Sequence, residues 1–196
     1  MSENGLIKGA DGKIRCKWCG TDPLYVHYHD TEWGVETKSD IALYEKICLE
    51  GFQAGLSWIT ILRKREAFRE AFHGFDPVKV SQMTEVDVVR LLSNEGIIRH
   101  RGKIEATIHN ARLTLDLIKE VGSLWDYFSR FKPPVNARPA KVTYDWLRST
   151  PISPESTSLA KDLKKRGFKF LGPTTMYAHM QAMGLVNDHI DGCDFR

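Results

Sequence analysis

No run of apolar residues in this chain is long enough to cross a bilayer, and its start lacks the apolar stretch of a secretory signal. Strand-like alternation is nearly absent, and so are internal repeats and low-complexity tracts. Cysteine is scarce: the four in 196 residues, with no export signal, read as metal ligands or core thiols before disulfides. Charge of one sign is scarce too. A net charge of +3 permits an anionic partner without demanding one, so the distribution of charge matters more than its sum. What is left is a cytoplasmic globular protein of one domain with no membrane partner. Its 42% hydrophobic and 27% charged residues suffice for a substantial core.

Helical periodicity fills most of the chain and predicts an all-α fold. Ser39, followed by Asp40, caps a helix running to about Gly51 or Phe52. A second is expected from about Ser57 to Phe72, with Trp58, Ile61, Leu62, Phe68 and Phe72 inward. Asp76-Pro77 opens a short third, and Thr84 with Asp87 makes a capping box for a fourth ending near Asn94. A long helix from near Arg99 carries Ile104, Ile108, Ala111, Leu115 and Ile118 at three-to-four spacing. Further helices are predicted over 124–131, 156–166 and 173–183, with a proline-containing connection through about Pro154. Residues 1–14 read as a flexible leader, 15–196 as the domain, and 22–34 as irregular with room for one helical turn.

Four constellations could carry chemistry. Glu50 shares a helical stripe with Leu43, Ile47 and Ala54, where a carboxylate is expensive unless something pairs with it. It is either a hydrogen-bonded cap near an ordinary turn or a group aimed at a planar, positively charged ligand. The segment 92–104 joins two helices through a short glycine-containing hairpin and opens the second with Arg99, Arg101 and Lys103. A helix N-terminus with basic side chains suits a phosphate backbone, although a solvated turn reads equally well. Cys16 and His29 near one end, with His189 and Cys193 near the other, form a Cys2His2 set suited to structural zinc. Cys19 and His27 compete for places in it, while Cys48 lies among apolar residues as core. Trp18, Tyr25, Tyr28, Trp33 and Trp58 are either core or the walls of a slot for a flat base. The charged run 161–170 reads mainly as a solvated face.

Together these motifs resemble the 3-methyladenine DNA glycosylase I family of the helix-hairpin-helix glycosylase superfamily. The resemblance runs through Asp-Pro-Leu-Tyr-x-x-Tyr-His-Asp (22–30), Glu-Trp-Gly-Val (32–35) and Ile-Cys-Leu-Glu-Gly-x-Gln-Ala-Gly-Leu-Ser-Trp-Ile-Thr (47–60). It continues in 75–80, in Gly-Ile-Ile-Arg-His-Arg-Gly-Lys-Ile (96–104), and in 164–170, 184–189 and 192–193. It implies a helix-hairpin-helix glycosylase fold, with 84–118 as the hairpin region and zinc joining 15–38 to 184–196. Cys16, His29, His189 and Cys193 are the implied zinc ligands, with Cys19 an extra cysteine. Glu50 is the implied base-reading and catalytic residue, and Tyr25, Tyr28 and Trp58 enclose the flipped base. Gln53, Gly55 and Leu56 are expected to fill the gap in the DNA, and Gly96, Ile97, Ile98, Arg101 and Lys103 to hold its backbone.

The implied reaction is monofunctional excision of 3-methyladenine from double-stranded DNA, with the free base as product, by a monomer associated with the bacterial nucleoid. Methylation at ring nitrogen 3 makes the base cationic, so it departs neutral without a general acid. Glu50 and cation–π contacts with Tyr28 and Trp58 would favour it over neutral adenine. Asp116 lies on a helix flank and is expected at the surface. Two other readings compete. Lys103 could supply a Schiff-base amine for a glycosylase/lyase, or the chain could be a zinc-stapled DNA-binding module without catalysis.

Overall fold

The computed structural model describes residues 4–196. Eleven α-helices, three short 3-10 helices and one small β-hairpin make up its regular structure among those residues. The centre is α2 (Asp40–Gln53), capped by the Ser39 side chain, which accepts from Ala42 N at 3.3 Å. Leu43, Tyr44, Ile47, Leu49 and Phe52 of α2 are all buried, because this helix is enclosed by neighbours rather than laid on a surface. On one side lies α7 (Arg101–Val121), and on others α8 (Leu124–Ser129) and α11 (Pro173–Ala182). The expected inner stripe of α7 holds through Ala111 and then turns to Thr114 and Leu117, leaving Leu115 half-buried. No helix is long and apolar enough to cross a membrane.

Four expectations need correction. The leader is not frayed where it is described. Leu6–Lys8 (β1) and Ile14–Cys16 (β2) pair antiparallel, and residues 1–3 lie outside the described residues. Buried Arg15 fixes this hairpin, donating to both Asp11 oxygens at 2.8 and 2.7 Å and to Asp30 at 2.7–3.0 Å. The aromatic segment after it forms α1 (Pro23–Thr31), because Asp22 accepts from Leu24 N and Tyr25 N and proline occupies the first turn. The helix expected over 57–72 divides into α3 (Trp58–Arg63) and α4 (Arg65–Ala71). It breaks at Lys64, whose ammonium instead holds the carbonyls of Glu95 and Gly96 at 2.9 and 3.3 Å. Finally, the connection 132–153 contains α9 (Tyr144–Ser149), N-capped by Thr143.

The expected junction is present. Asp76 caps α5 (Pro77–Ser81), and Thr84 and Asp87 make the capping box of α6 (Glu85–Leu92). The hairpin then leads to α7, where His100 caps by accepting from Lys103 N at 3.2 Å. Gly96 must be glycine, since a Cβ there would sit 2.9 Å from Ala67 Cβ. Ser153 caps α10 (Pro154–Lys165), which packs against α11.

Candidate active site and metal centre

Tyr28 and His29 are adjacent on α1 and so point about 100° apart, and one helix thereby serves two places at once. Tyr25 and Tyr28 help line a cleft of about 360 Å³. Trp18 and Trp33, Glu50 and Gln53 of α2, and Trp58 at the start of α3 complete one side. The opposite side comes from Leu147, Thr150 and Pro151 around α9 and from Thr174, Tyr177, Ala178 and Gln181 of α11. None of that second set was singled out in the sequence, because neither α9 nor α11 shows a chemically loaded motif. Asp188 ties α11 to the connection that precedes α9. Fully buried, it accepts from Tyr177 at 2.8 Å, from Gln181 at 2.8 Å and from Arg138 of the connection.

Glu50 is buried and opens onto this cleft, and its carboxylate is paired. Lys46, one turn earlier on α2, places Nζ 2.9 Å from Glu50 Oε1 and donates to the Tyr28 hydroxyl at 2.8 Å. The same nitrogen lies 3.3 Å from the centroid of the Trp58 ring. The cation–π contact expected for a ligand at Trp58 is therefore already made by a side chain. Lys46 escaped the sequence reading, although a lysine four residues before a buried carboxylate is a helical ion-pair spacing. Burial lowers the Lys46 pKa, against the pull of Glu50. Burial, followed by the Glu50 charge, raises the Tyr28 phenol well above its ordinary value.

Lys103 also differs from expectation. Instead of facing a phosphate, its side chain turns inward and its Nζ donates to the carbonyls of Phe52 and Ala54 at 2.9 and 3.0 Å. Those carbonyls close the C-terminal end of α2, where the helix dipole attracts a cation. Ile97 is buried and Ile98 half-buried. Arg101 is exposed and pairs with Glu85 and Glu105 at 2.7 and 3.1 Å. Beyond α2, Gly55 takes φ +84°, a left-handed turn that glycine permits, and Leu56 projects with 41% exposure. Asp116 is exposed as expected.

The other face of α1 meets the chain end. One ligand atom from each of Cys16, His29 and Cys193 lies within 4.8 Å of the others, and all three residues are buried. His29 Nδ1 is held by Asp30 at 2.8 Å, which directs Nε2 at the sulfurs. His189 stands edge-on to His29 with ring centroids 4.9 Å apart. Its Nδ1 is held by Asn187 at 2.9 Å, and its buried Nε2 has no hydrogen-bond partner among the described residues. A carboxylate or amide holding the rear nitrogen of each ring is the usual support for a metal ligand. The Cys193 thiol is pulled down to about 4, first by Cys16 and then by His29, while the Cys16 thiol is pushed up. Cys19 turns away, its Sγ 3.1 Å from the Cys16 carbonyl, and His27 is exposed beside Thr31. Two sulfurs and one imidazole brought together are donors of the kind that suit a soft-tolerant cation, and His189 stands beside them without belonging to the 4.8 Å cluster.

The fold is a helical bundle with a buried carboxylate and tilted or edge-on aromatics on one cleft and a hairpin before a long helix, and the proteins it matches are glycosylases. The chain belongs to the methyladenine glycosylase family, whose model matches residues 18–196. It is 53% identical over 180 residues to DNA-3-methyladenine glycosylase 1 of Escherichia coli, covering 91% of this chain and 95% of that protein. A crystal structure of 3-methyladenine DNA glycosylase I superposes with a TM-score of 0.84 at 52% identity, covering 92% of this chain and 98% of the other. A variant of 3-methyladenine DNA glycosylase I in complex with 3-methyladenine superposes with a TM-score of 0.79 at 37% identity, covering 92% and 96%.

Proposed function

We propose that this chain is a monofunctional base-excision repair glycosylase. It hydrolyses the N-glycosidic bond of 3-methyladenine in alkylated double-stranded DNA, releasing the free base and leaving an abasic site. The observation that carries this reading is a buried carboxylate, Glu50, opening onto a cleft walled by Trp18, Tyr25, Tyr28, Trp33 and Trp58. A base inside a duplex cannot reach such a cleft, so the nucleotide is extruded first. Gln53 lines the cleft, Gly55 and Leu56 follow it in the turn after α2, and these are the residues to occupy the gap. The hairpin, through Gly96, Ile97 and Ile98, the first turn of α7, and Arg101 grip the phosphates.

The methylated base carries a positive charge and leaves as a neutral molecule, taking both electrons of the bond to deoxyribose. Water adds to the sugar carbon and gives up a proton, so no acid is needed at the base. Glu50 accepts hydrogen bonds from the base, and Tyr25, Tyr28 and Trp58 hold its ring. Lys103 has its Nζ engaged by two backbone carbonyls, which favours the monofunctional reading over a Schiff-base lyase. Cys16, His29, His189 and Cys193 would hold a structural zinc ion that ties the start of the domain to its end. Within a monomer, in a cytoplasm where it meets the nucleoid, that tie serves stability rather than chemistry.

The test is chromatography of bases released from methylated DNA by the wild type and by Glu50→Gln. We expect 3-methyladenine from the wild type and a single-turnover rate lower by roughly 10²-fold or more in the variant. If folded wild-type protein released no base, the reading would give way to that of a DNA-binding module without catalysis.

A further inference from the structure

The helix α9 forms part of the cleft's second side, yet none of its six residues is buried. A helix that short is not stable alone, so its place is set by what it rests on. It rests on segments near the two ends of the chain. Leu147 of α9 lines the cleft and packs on a small buried cluster of Cys16, Ile190 and Cys193. Leu6 of β1 packs on the same cluster, and a Cβ on Gly192 would stand 3.2 Å from its Cδ1. Just ahead of α9, the buried Val142 offers its carbonyl to Asp191 N at 2.8 Å. Gly5 is buried against Tyr144, the first residue of α9. A Cβ there would stand 2.6–2.7 Å from Tyr144 Cδ2, Cβ and Cγ, and the backbone takes φ +73°. The Gly5 carbonyl is itself fixed, accepting from Lys17 N at 2.8 Å. The hairpin that supplies Gly5 and Leu6 is anchored independently of α9. Arg15 clamps it to Asp30 at 2.7 Å. Ile14 N donates to Asp194 Oδ2 at 2.7 Å, and the Ile14 carbonyl accepts from Asp194 N at 2.9 Å. This hairpin lies ahead of residue 18, where the family match begins.

We propose that this hairpin is a positioning element for the cleft. Gly5 and Leu6 hold α9 through Tyr144 and through the cluster under Leu147, and so fix the wall against which an extruded nucleotide is held. This rests on the reading of the cleft as a base site. Neither Gly5 nor Leu6 lines the cleft, so both act through α9. The wall they support is Leu147, Thr150 and Pro151, which carries no charge. It contributes apolar contact to a nucleotide in the cleft equally before and during bond breaking. Binding of that kind lowers the substrate concentration needed without changing the rate once substrate is bound. Glu50, Tyr25, Tyr28 and Trp58 stand on α1, α2 and α3, so a displaced α9 leaves them in place.

The experiment is steady-state excision by full-length variants, with the concentration of a methylated duplex varied. Gly5→Ala and Leu6→Ala should raise KM roughly fivefold and leave kcat undiminished. A smaller folded fraction would lower kcat and leave KM alone, so the split separates positioning from stability. Leu6→Met and Tyr144→Phe keep the bulk of each contact and should match the wild-type KM. Tyr144→Ala should raise KM as Gly5→Ala does, and the two combined should add nothing further, because both break one contact. Hydrogen exchange in Gly5→Ala and Leu6→Ala should quicken over 143–150 and keep its wild-type rate in α2 and α7. An unchanged KM in Gly5→Ala and Leu6→Ala would overturn the proposal while leaving the base-cleft reading intact. So would a loss confined to kcat, or exchange quickened evenly through α2 and α7. If the wild type itself released no base, the base-cleft reading would fall and this one with it.

Discussion

Two lysines are buried beside the same helix, to nearly the same depth at 7% and 8% exposure, for different reasons. Lys46 faces a formal charge, the carboxylate of Glu50, on its own helix. Lys103 comes from α7 and faces only backbone, the carbonyls of Phe52 and Ala54. The first is half of an ion pair whose removal strands a buried carboxylate. The second is a cap on a helix end, where partial charges are smaller and water can return. Depth of burial therefore does not rank the two. What each ammonium leaves behind when it goes is what ranks them.

Breaking this contrast should give effects in descending order. Lys46→Met is expected to lose about 3–5 kcal/mol of folding stability, measured by urea denaturation. The double variant Lys46→Met/Glu50→Gln should lose less than the sum of the two single losses. A double variant as unstable as that sum would mean that the two do not act as a unit. Lys103→Met is expected to lose about 1–3 kcal/mol, with faster hydrogen exchange confined to the last turn of α2. The salt dependence of its DNA binding should match that of the wild type. A slope shallower by about 0.9 would return Lys103 to the phosphate backbone. Leu56→Ala should weaken lesion-DNA binding about tenfold, or about 1.4 kcal/mol, and leave the affinity for free 3-methyladenine untouched. Arg101→Ala, at an exposed network with Glu85 and Glu105, should move stability by no more than about 0.5 kcal/mol. Here the slope should fall by about 0.9, the reverse of the Lys103 result.

Local capping signals read well where an apolar stripe follows them. Ser39, Asp76-Pro77 and Thr84 with Asp87 each start the helix they were expected to start. Asp22-Pro23 is the same signal, yet α1 escaped it. Its side chains are engaged on several sides, with Tyr28 toward Lys46 and His29 toward the cysteines, so no apolar stripe marks it as a helix. The small hairpin was illegible for another reason: its order comes from Arg15 reaching Asp30, a contact made in three dimensions. The candidate ligands were visible as residue types at both ends of the chain. Spacing alone left Cys16 and Cys19 in competition, the resemblance preferred Cys16, and the fold turns Cys19 onto a carbonyl. Glu50 was conspicuous because a carboxylate interrupts an apolar stripe. Lys46 was not, because a single lysine on a helix is ordinarily solvent-facing.

The Lys103 cap also works as a gauge. The hairpin and the first turn of α7 sit at one end of that lysine's helix, and Glu50 sits one turn before the α2 carbonyls it grips. The two helices are thus pinned at a fixed offset. On the proposed function, wherever the hairpin settles on a phosphate, the cleft presents itself a set number of nucleotides away. The enzyme then addresses a base by position along the backbone before it tests that base's chemistry.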